Sequence, residues 1–203
     1  MRIIMGLFNK GTGEVHLKIV YWGPENAGKT ENIVRLSDFL KDSGRIVTLL
    51  GKDGSTIYFD FYNPVLTLPN GLKVKYLLYA SPGKKAARLA RKLVLAGTDG
   101  IVFVVDSDEK RFKDNKESLH ELQELLEIKG LKDVPIVFQY NKRDLQTALP
   151  VEELRRELNP QNYPEVEAKV IKGVGVLETF KEIAKRSLIN FLKRGNFGEL
   201  DFP

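Results

Sequence analysis

Eight consecutive residues, Gly23-Pro24-Glu25-Asn26-Ala27-Gly28-Lys29-Thr30, constrain this chain more than any other stretch, because they meet the pattern G-x-x-x-x-G-K-[ST] at every fixed position. Glycine at both ends permits the tight bend that turns successive backbone N–H groups inward. The helix that follows adds its positive end, so the loop is an anion cradle. In such a cradle Glu25, Asn26, Ala27 and Gly28 surround a nucleotide's phosphates. Lys29 brings a point charge to the β- and γ-phosphates, which also makes it a catalytic candidate, and Thr30 brings a hydroxyl to Mg²⁺. The flanks agree. His16 to Trp22 is strand-like, and Ile33, Val34, Leu36, Phe39 and Leu40 follow at helical spacing.

Strand and helix signals then alternate. Thr56 to Phe61 is β-branched and aromatic, and Leu72 to Tyr79 begins as an alternation. The Pro69-Asn70-Gly71 turn between them predicts a hairpin. Arg45 to Leu50 reads as a short extended segment. Lys84 to Ala96 carries Ala87, Leu89, Ala90, Leu93 and Val94 as a helical stripe. Ile101 to Asp106 and Pro135 to Tyr140 are apolar runs suited to strands buried on both faces. Helices are expected over 111–128, 150–158 and 177–192, and a last strand over 166–171. The expected fold is α/β, of the P-loop NTPase type with a Ras-like nucleotide domain. It has a six-stranded, mainly parallel sheet with one antiparallel hairpin pair and about five helices on both faces. Residues 1–14 read as an N-terminal extension that can add a strand, 15–195 as the nucleotide domain and 196–203 as a tail.

At the end of the Ile136 strand stands Asn141-Lys142-Arg143-Asp144, an N-K-x-D sequence at the edge where open α/β sheets bind ligands. A carboxylate only accepts, so Asp144 suits the N1–H and 2-amino donors of guanine, whereas adenine offers an acceptor at N1. Asn141 steadies the loop, and the stem of Lys142 can lie along the base. As an isolated four-residue match this sequence would serve equally well as a helix-initiating turn. Downstream of a phosphate loop, and also at a strand end, it specifies guanine.

Composition narrows the setting. With 203 residues, 42% of them apolar, the chain suits one domain. No apolar run approaches the roughly 18 residues of a membrane span. No cysteine is present, residue 2 is Arg, and no signal-peptide cleavage site follows the start, so the expected place is the cytoplasm, without a lipid anchor. The 32 basic residues are mixed with 27 acidic ones, and a net charge of +5 spread this way does not predict nucleic-acid binding. His16 and His120 lack metal-like companions and receive no role.

Beyond the two nucleotide motifs the chain resembles Ras-like small GTPases, and among them the bacterial MglA group of cell polarity and gliding motility. The likeness lies in 18–24, Phe59-Asp60-Phe61, Pro82-Gly83, Arg91-Lys92-Leu93-Val94-Leu95, 99–104 and 141–145. The resemblance implies GTP/GDP with Mg²⁺ as ligands, Thr56 as the switch I threonine that joins Thr30 at the metal, and Gly83 as the switch II glycine that senses the γ-phosphate. It also implies a roadblock/LC7-domain partner of MglB type as GTPase activator, an effector bound through the switches, and a backbone contact to guanine near Val170. Four positions depart from the common pattern. Ala80 stands where most Ras-like relatives have a metal-linked aspartate, which MglA proteins also lack. Lys84 replaces the glutamine that orients water, Ser55 stands where MglA proteins bring an arginine, and Glu25 replaces a glycine. An ammonium cannot accept the proton of attacking water, and a serine spreads no positive charge. Slow hydrolysis is expected, with two roles open to Lys84: reaching the γ-phosphate or pairing with Glu25. A scaffold that binds nucleotide without hydrolysing it is the alternative. A P-loop kinase or ATPase is disfavoured by 141–144.

Overall fold

The computed structural model describes residues 7–9, 13–40, 47–50, 56–62, 64–68, 71–83 and 88–194. Its centre is the strand β2 (Glu14–Trp22), with β6 (Lys73–Ala80) and β7 (Gly100–Asp106) pairing in parallel on either side. Strands β8 (Ile136–Asn141) and β9 (Glu165–Glu167) continue the parallel run beyond β7, while β4 (Thr56–Tyr62) lies antiparallel on β6. These six strands are the expected mainly parallel sheet with its antiparallel pair. Three short strands extend it. β1 (Leu7–Asn9) pairs with β2, β3 (Val47–Leu50) with β4, and β5 (Val65–Thr67) with β6, all antiparallel. β4 and β5 run along the same edge of β6, interrupted where Pro64 has no N–H to give the ladder and its carbonyl accepts from Tyr76 N–H at 2.9 Å. The hairpin turn closes at Leu68, whose N–H donates to Leu72 O at 2.9 Å.

Helices cover both faces, which is why all seven residues of β7 and all six of β8 are buried. On one face α1 (Lys29–Leu40) and α5 (Val176–Arg194) set Ile33, Leu36, Phe180 and Ile183 against Leu17, Ile19 and Val102. On the other, α2 (Arg88–Val94), α3 (Phe112–Ile128) and α4 (Val151–Leu158) set Val94, Leu122 and Leu154 against Val20, Ile101 and Phe103. Each such side chain removed from water stabilises the fold by roughly 1.5–3 kcal/mol before the entropy of ordering is counted.

Two local expectations need correction. The last strand ends at Glu167, and Val170–Lys172 form a 3₁₀ turn closed by Gly173 at φ +76°, a conformation that ends extended pairing and costs glycine little. In α2 the expected stripe is split: its leucines face outward and Val94 faces the core. Leu89 and Leu93 are 72% and 62% exposed, while Arg91 and Val94 are buried, because a guanidinium fills the space beside Trp22. Ala87 and the tail 196–203 lie outside the described residues.

Candidate nucleotide-binding site

β2, β6, β7 and β8 run in parallel, so their carboxyl ends deliver the phosphate loop, Ser81-Pro82-Gly83, Asp106 and Asn141 to one edge. Gly23 begins the loop at φ +152°, where a Cβ would lie 2.3 Å from Val104 O. Asn26 at φ +62° and Gly28 at φ +101° turn the chain again, the succession of bends from which an anion-binding nest is made. A Cβ on Gly28 would meet Asn141 Nδ2 at 2.4 Å, so glycine is required there by space as well as by backbone angle. Lys29 opens α1 and is only 6% exposed; its Nζ donates to Pro24 O at 2.5 Å and Gly23 O at 3.1 Å. The ammonium therefore spans the loop, and α1 begins at the same residue, so the positive end of its dipole lies at the loop. Thr30 follows, part-buried, in the first turn. The residues present thus fit a polyphosphate.

Asn141 joins the two motifs. Its Nδ2 donates to Ala27 O in the phosphate loop at 2.8 Å, and its Oδ1 accepts from Val170 N–H at 3.0 Å in the turn after β9. Val170 is thereby placed at the site through Asn141. Lys142, at φ +64°, donates from Nζ to the buried Asp106 carboxylate at 2.7 Å, which tethers its stem. Asp144 keeps about a quarter of its side chain exposed, with Lys172 Nζ at 3.9 Å. The loop that presents it is held by Arg143 N–H on Ala168 O at 3.1 Å and Arg143 Nη1 on Leu149 O at 2.6 Å. A carboxylate so placed accepts paired N–H donors from a ligand edge.

Supporting groups that belong to neither nucleotide motif lie just behind. Asn32, in α1, exchanges two hydrogen bonds with Gln139 (2.7 and 2.9 Å) and donates to Gly28 O at 3.0 Å; Gln139 also donates to Thr179 Oγ1 at 2.9 Å. A buried polar ladder thus runs from the loop through β8 to α5. Gln139 was its one available signal, a polar residue inside an apolar strand. Arg111 donates to Glu25 O at 2.8 Å, pairs with Asp114 at 2.6 Å and stands 3.8 Å from Asp106. No local pattern marks it.

The positions expected to act as switches are described in part. Gly83 abuts the loop, since a Cβ there would lie 2.4 Å from Glu25 Cα and 2.8 Å from Glu25 N. Thr56 begins β4 opposite Leu50. Ala80 ends β6 buried in the core and offers no carboxylate. Ser55 and Lys84 lie outside the described residues. His16 and His120 face Glu14 and Glu124 at 3.3 and 3.4 Å, and among the described residues no cluster of three His, Asp or Glu could hold a metal. Nor is any described helix long and apolar enough to cross a membrane.

The ADP-ribosylation factor family matches residues 3–187. The chain is 40% identical over 195 residues to the mutual gliding-motility protein MglA of Myxococcus xanthus, covering 94% of this chain and 100% of that protein. It is also 32% identical over 141 residues to the human ADP-ribosylation factor-like protein 4A, covering 69% of this chain and 64% of that one. The chain belongs to the ADP-ribosylation factor family of Ras-like small GTPases, with MglA as a relative along nearly its whole length.

Proposed function

We propose that this protein is a guanine-nucleotide switch of the MglA kind, acting in bacterial cell polarity or gliding motility through partners that distinguish its GTP and GDP states. The observation that carries this reading is Asn141, which bonds at once to Ala27 of the phosphate loop and to Val170 beside the base motif. Around it, Glu25, Asn26, Ala27, Gly28, Lys29 and Thr30 take the phosphates, and Asn141, Lys142, Asp144 and Val170 take the guanine end. Thr30 and Thr56 would hold Mg²⁺, which would supply charge neutralisation to the bound phosphates. Gly83 senses the γ-phosphate, a role favoured by its contact with Glu25.

Partners and place follow from the likeness to MglA: a roadblock/LC7-domain activator of MglB type, an effector at the switches, and a cytoplasmic protein recruited to a cell pole or to the inner membrane face. Hydrolysis is slow. Loss of an arginine finger alone removes on the order of 10³-fold in rate, and Ser55, Lys84 and Glu25 stand where MglA or other Ras-like proteins have arginine, glutamine and glycine. Lys29 supplies fixed positive charge to the transferred phosphoryl group. Lys84 either adds a second charge there or neutralises Glu25.

A non-hydrolysing scaffold is the second reading, favoured by the apolar burial of Ala80 where a carboxylate would assist the metal. Single-turnover phosphate release from GTP, with and without a roadblock partner, separates the two: slow release that the partner accelerates supports the switch, and none under either condition supports the scaffold. Fast release by the protein alone contradicts both. For the base, Asp144→Asn should exchange guanine for xanthine preference, because an amide donates where a carboxylate accepts. Unchanged guanine affinity would remove Asp144 from the site.

A further inference from the structure

Arg91 is 2% exposed, an unusual place for a guanidinium unless it is paired and hydrogen-bonded. Its plane lies over the Trp22 ring, 4.1 Å from the centroid. Nη2 donates to Ser118 Oγ at 3.2 Å and pairs with Glu121 Oε2 at 2.9 Å, which fixes the group to α3. Nη1 points the other way and donates to Pro82 O at 2.6 Å, with Gly23 O at 3.4 Å. One side chain thus ties α3, the start of the phosphate loop and the residue before Gly83.

The bond to Pro82 has a consequence for its neighbour. Pro82 O and Gly83 N–H belong to one planar trans peptide group, in which carbonyl and N–H point in opposite directions. Capture of the carbonyl by Arg91 therefore fixes the N–H of Gly83 to face away from α3, and the glycine cannot shift far because Glu25 backbone lies against it. We propose that Arg91 is a positioning residue that aims the Gly83 N–H at the γ-phosphate and so sets the preference for GTP over GDP. This rests on the nucleotide reading above. Arginine is required because a lysine offers no planar fork able to stack on Trp22 and bond in two directions.

The test measures affinity for GDP and for a non-hydrolysable GTP analogue, both with Mg²⁺, by calorimetry. In Arg91→Lys the analogue should weaken about ten-fold or more while GDP changes by less than about three-fold, the loss expected for one charge-assisted hydrogen bond made only to the triphosphate state. A second variant, Ser118→Ala with Glu121→Gln, leaves the guanidinium but loosens its anchor. It should shift the same ratio in the same direction by about three-fold, and it decides the matter if Arg91→Lys does not fold. Equal loss of both nucleotides, or no change in the ratio, overturns the role of Arg91 while leaving the nucleotide site standing. No uptake of either nucleotide by the unaltered protein overturns the site reading and this inference with it.

Discussion

Replacing Asn141 by alanine tests whether the two nucleotide motifs are held as one unit. The substitution removes two buried hydrogen bonds, Nδ2 to Ala27 O at 2.8 Å and Val170 N–H to Oδ1 at 3.0 Å, and leaves a carbonyl and an amide without those partners. Each buried polar group left so costs about 1–3 kcal/mol, for a total of roughly 2–6 kcal/mol if water does not replace the amide. That is a large share of the 5–15 kcal/mol or so that ordinarily holds a domain together. The effect on ligand should exceed that on fold, because the phosphate loop and the guanine loop lose their common anchor. GDP affinity should fall by about thirty-fold or more, equivalent to about 2 kcal/mol. Asn141→Asp separates the two bonds: it keeps an acceptor for Val170 but sets a carboxylate against Ala27 O, so it should restore part of the stability and little of the affinity. Urea unfolding of the GDP-loaded protein and GDP titration read these quantities. An alanine variant within about 0.5 kcal/mol of the parent, with unchanged GDP affinity, would refute the anchor.

Arg111→Ala should speed GDP release about ten-fold by freeing Glu25 O and the Asp106 side of the loop, with Arg111→Lys recovering part of it; stopped-flow release of a fluorescent GDP checks this. Gln139→Leu strands Asn32 and Thr179 in the buried ladder and should cost about 2–4 kcal/mol in urea unfolding, more than an exposed substitution would. Lys18, whose Nζ donates to Ala96 O at 2.9 Å, has its pKa lowered from 10.5 to about 8, chiefly by burial, with the nearby Asp99 opposing. Below pH 8 both folded and unfolded chains hold this proton and the folded state bears the whole penalty. Between about 8 and 10 the folded chain has released it, so stability rises with pH, by something on the order of 1 kcal/mol after solvent screening. Above pH 10 Tyr76, pushed up to about 12 by burial, works the other way. Lys18→Met should abolish the rise in urea midpoint between pH 8 and 10.

The sequence disclosed most where local rules and tertiary demands coincide. Continuous apolar runs at 101–106 and 136–140 announced strands covered on both faces, and they are buried throughout. The glycines at 23 and 28 announced a tight loop, and each leaves no room for a Cβ. What stayed hidden depends on partners distant in the chain. Arg91 joins Val94 on the buried side of α2 because Trp22 and Glu121, 69 positions before it and 30 after, complete its environment. Periodicity alone put Leu89 and Leu93 inside. Val170 looked like the continuation of a strand, yet Gly173 and the bond to Asn141 fold it into a turn at the site. The Arg111 contacts to Glu25 and Asp106 leave no trace in local pattern, since a single arginine near a helix start is ordinary surface composition.

The most direct measurement is calorimetric titration of the nucleotide-free protein, in Mg²⁺, with GDP, GTP, ADP and ATP side by side. Tight uptake of both guanine nucleotides and none of the adenine pair is the predicted result, because in the proposed role Asp144 accepts from the guanine edge, while Lys29 spans the phosphate loop. Equal binding of ADP and GDP, or no heat from any of the four, would contradict it.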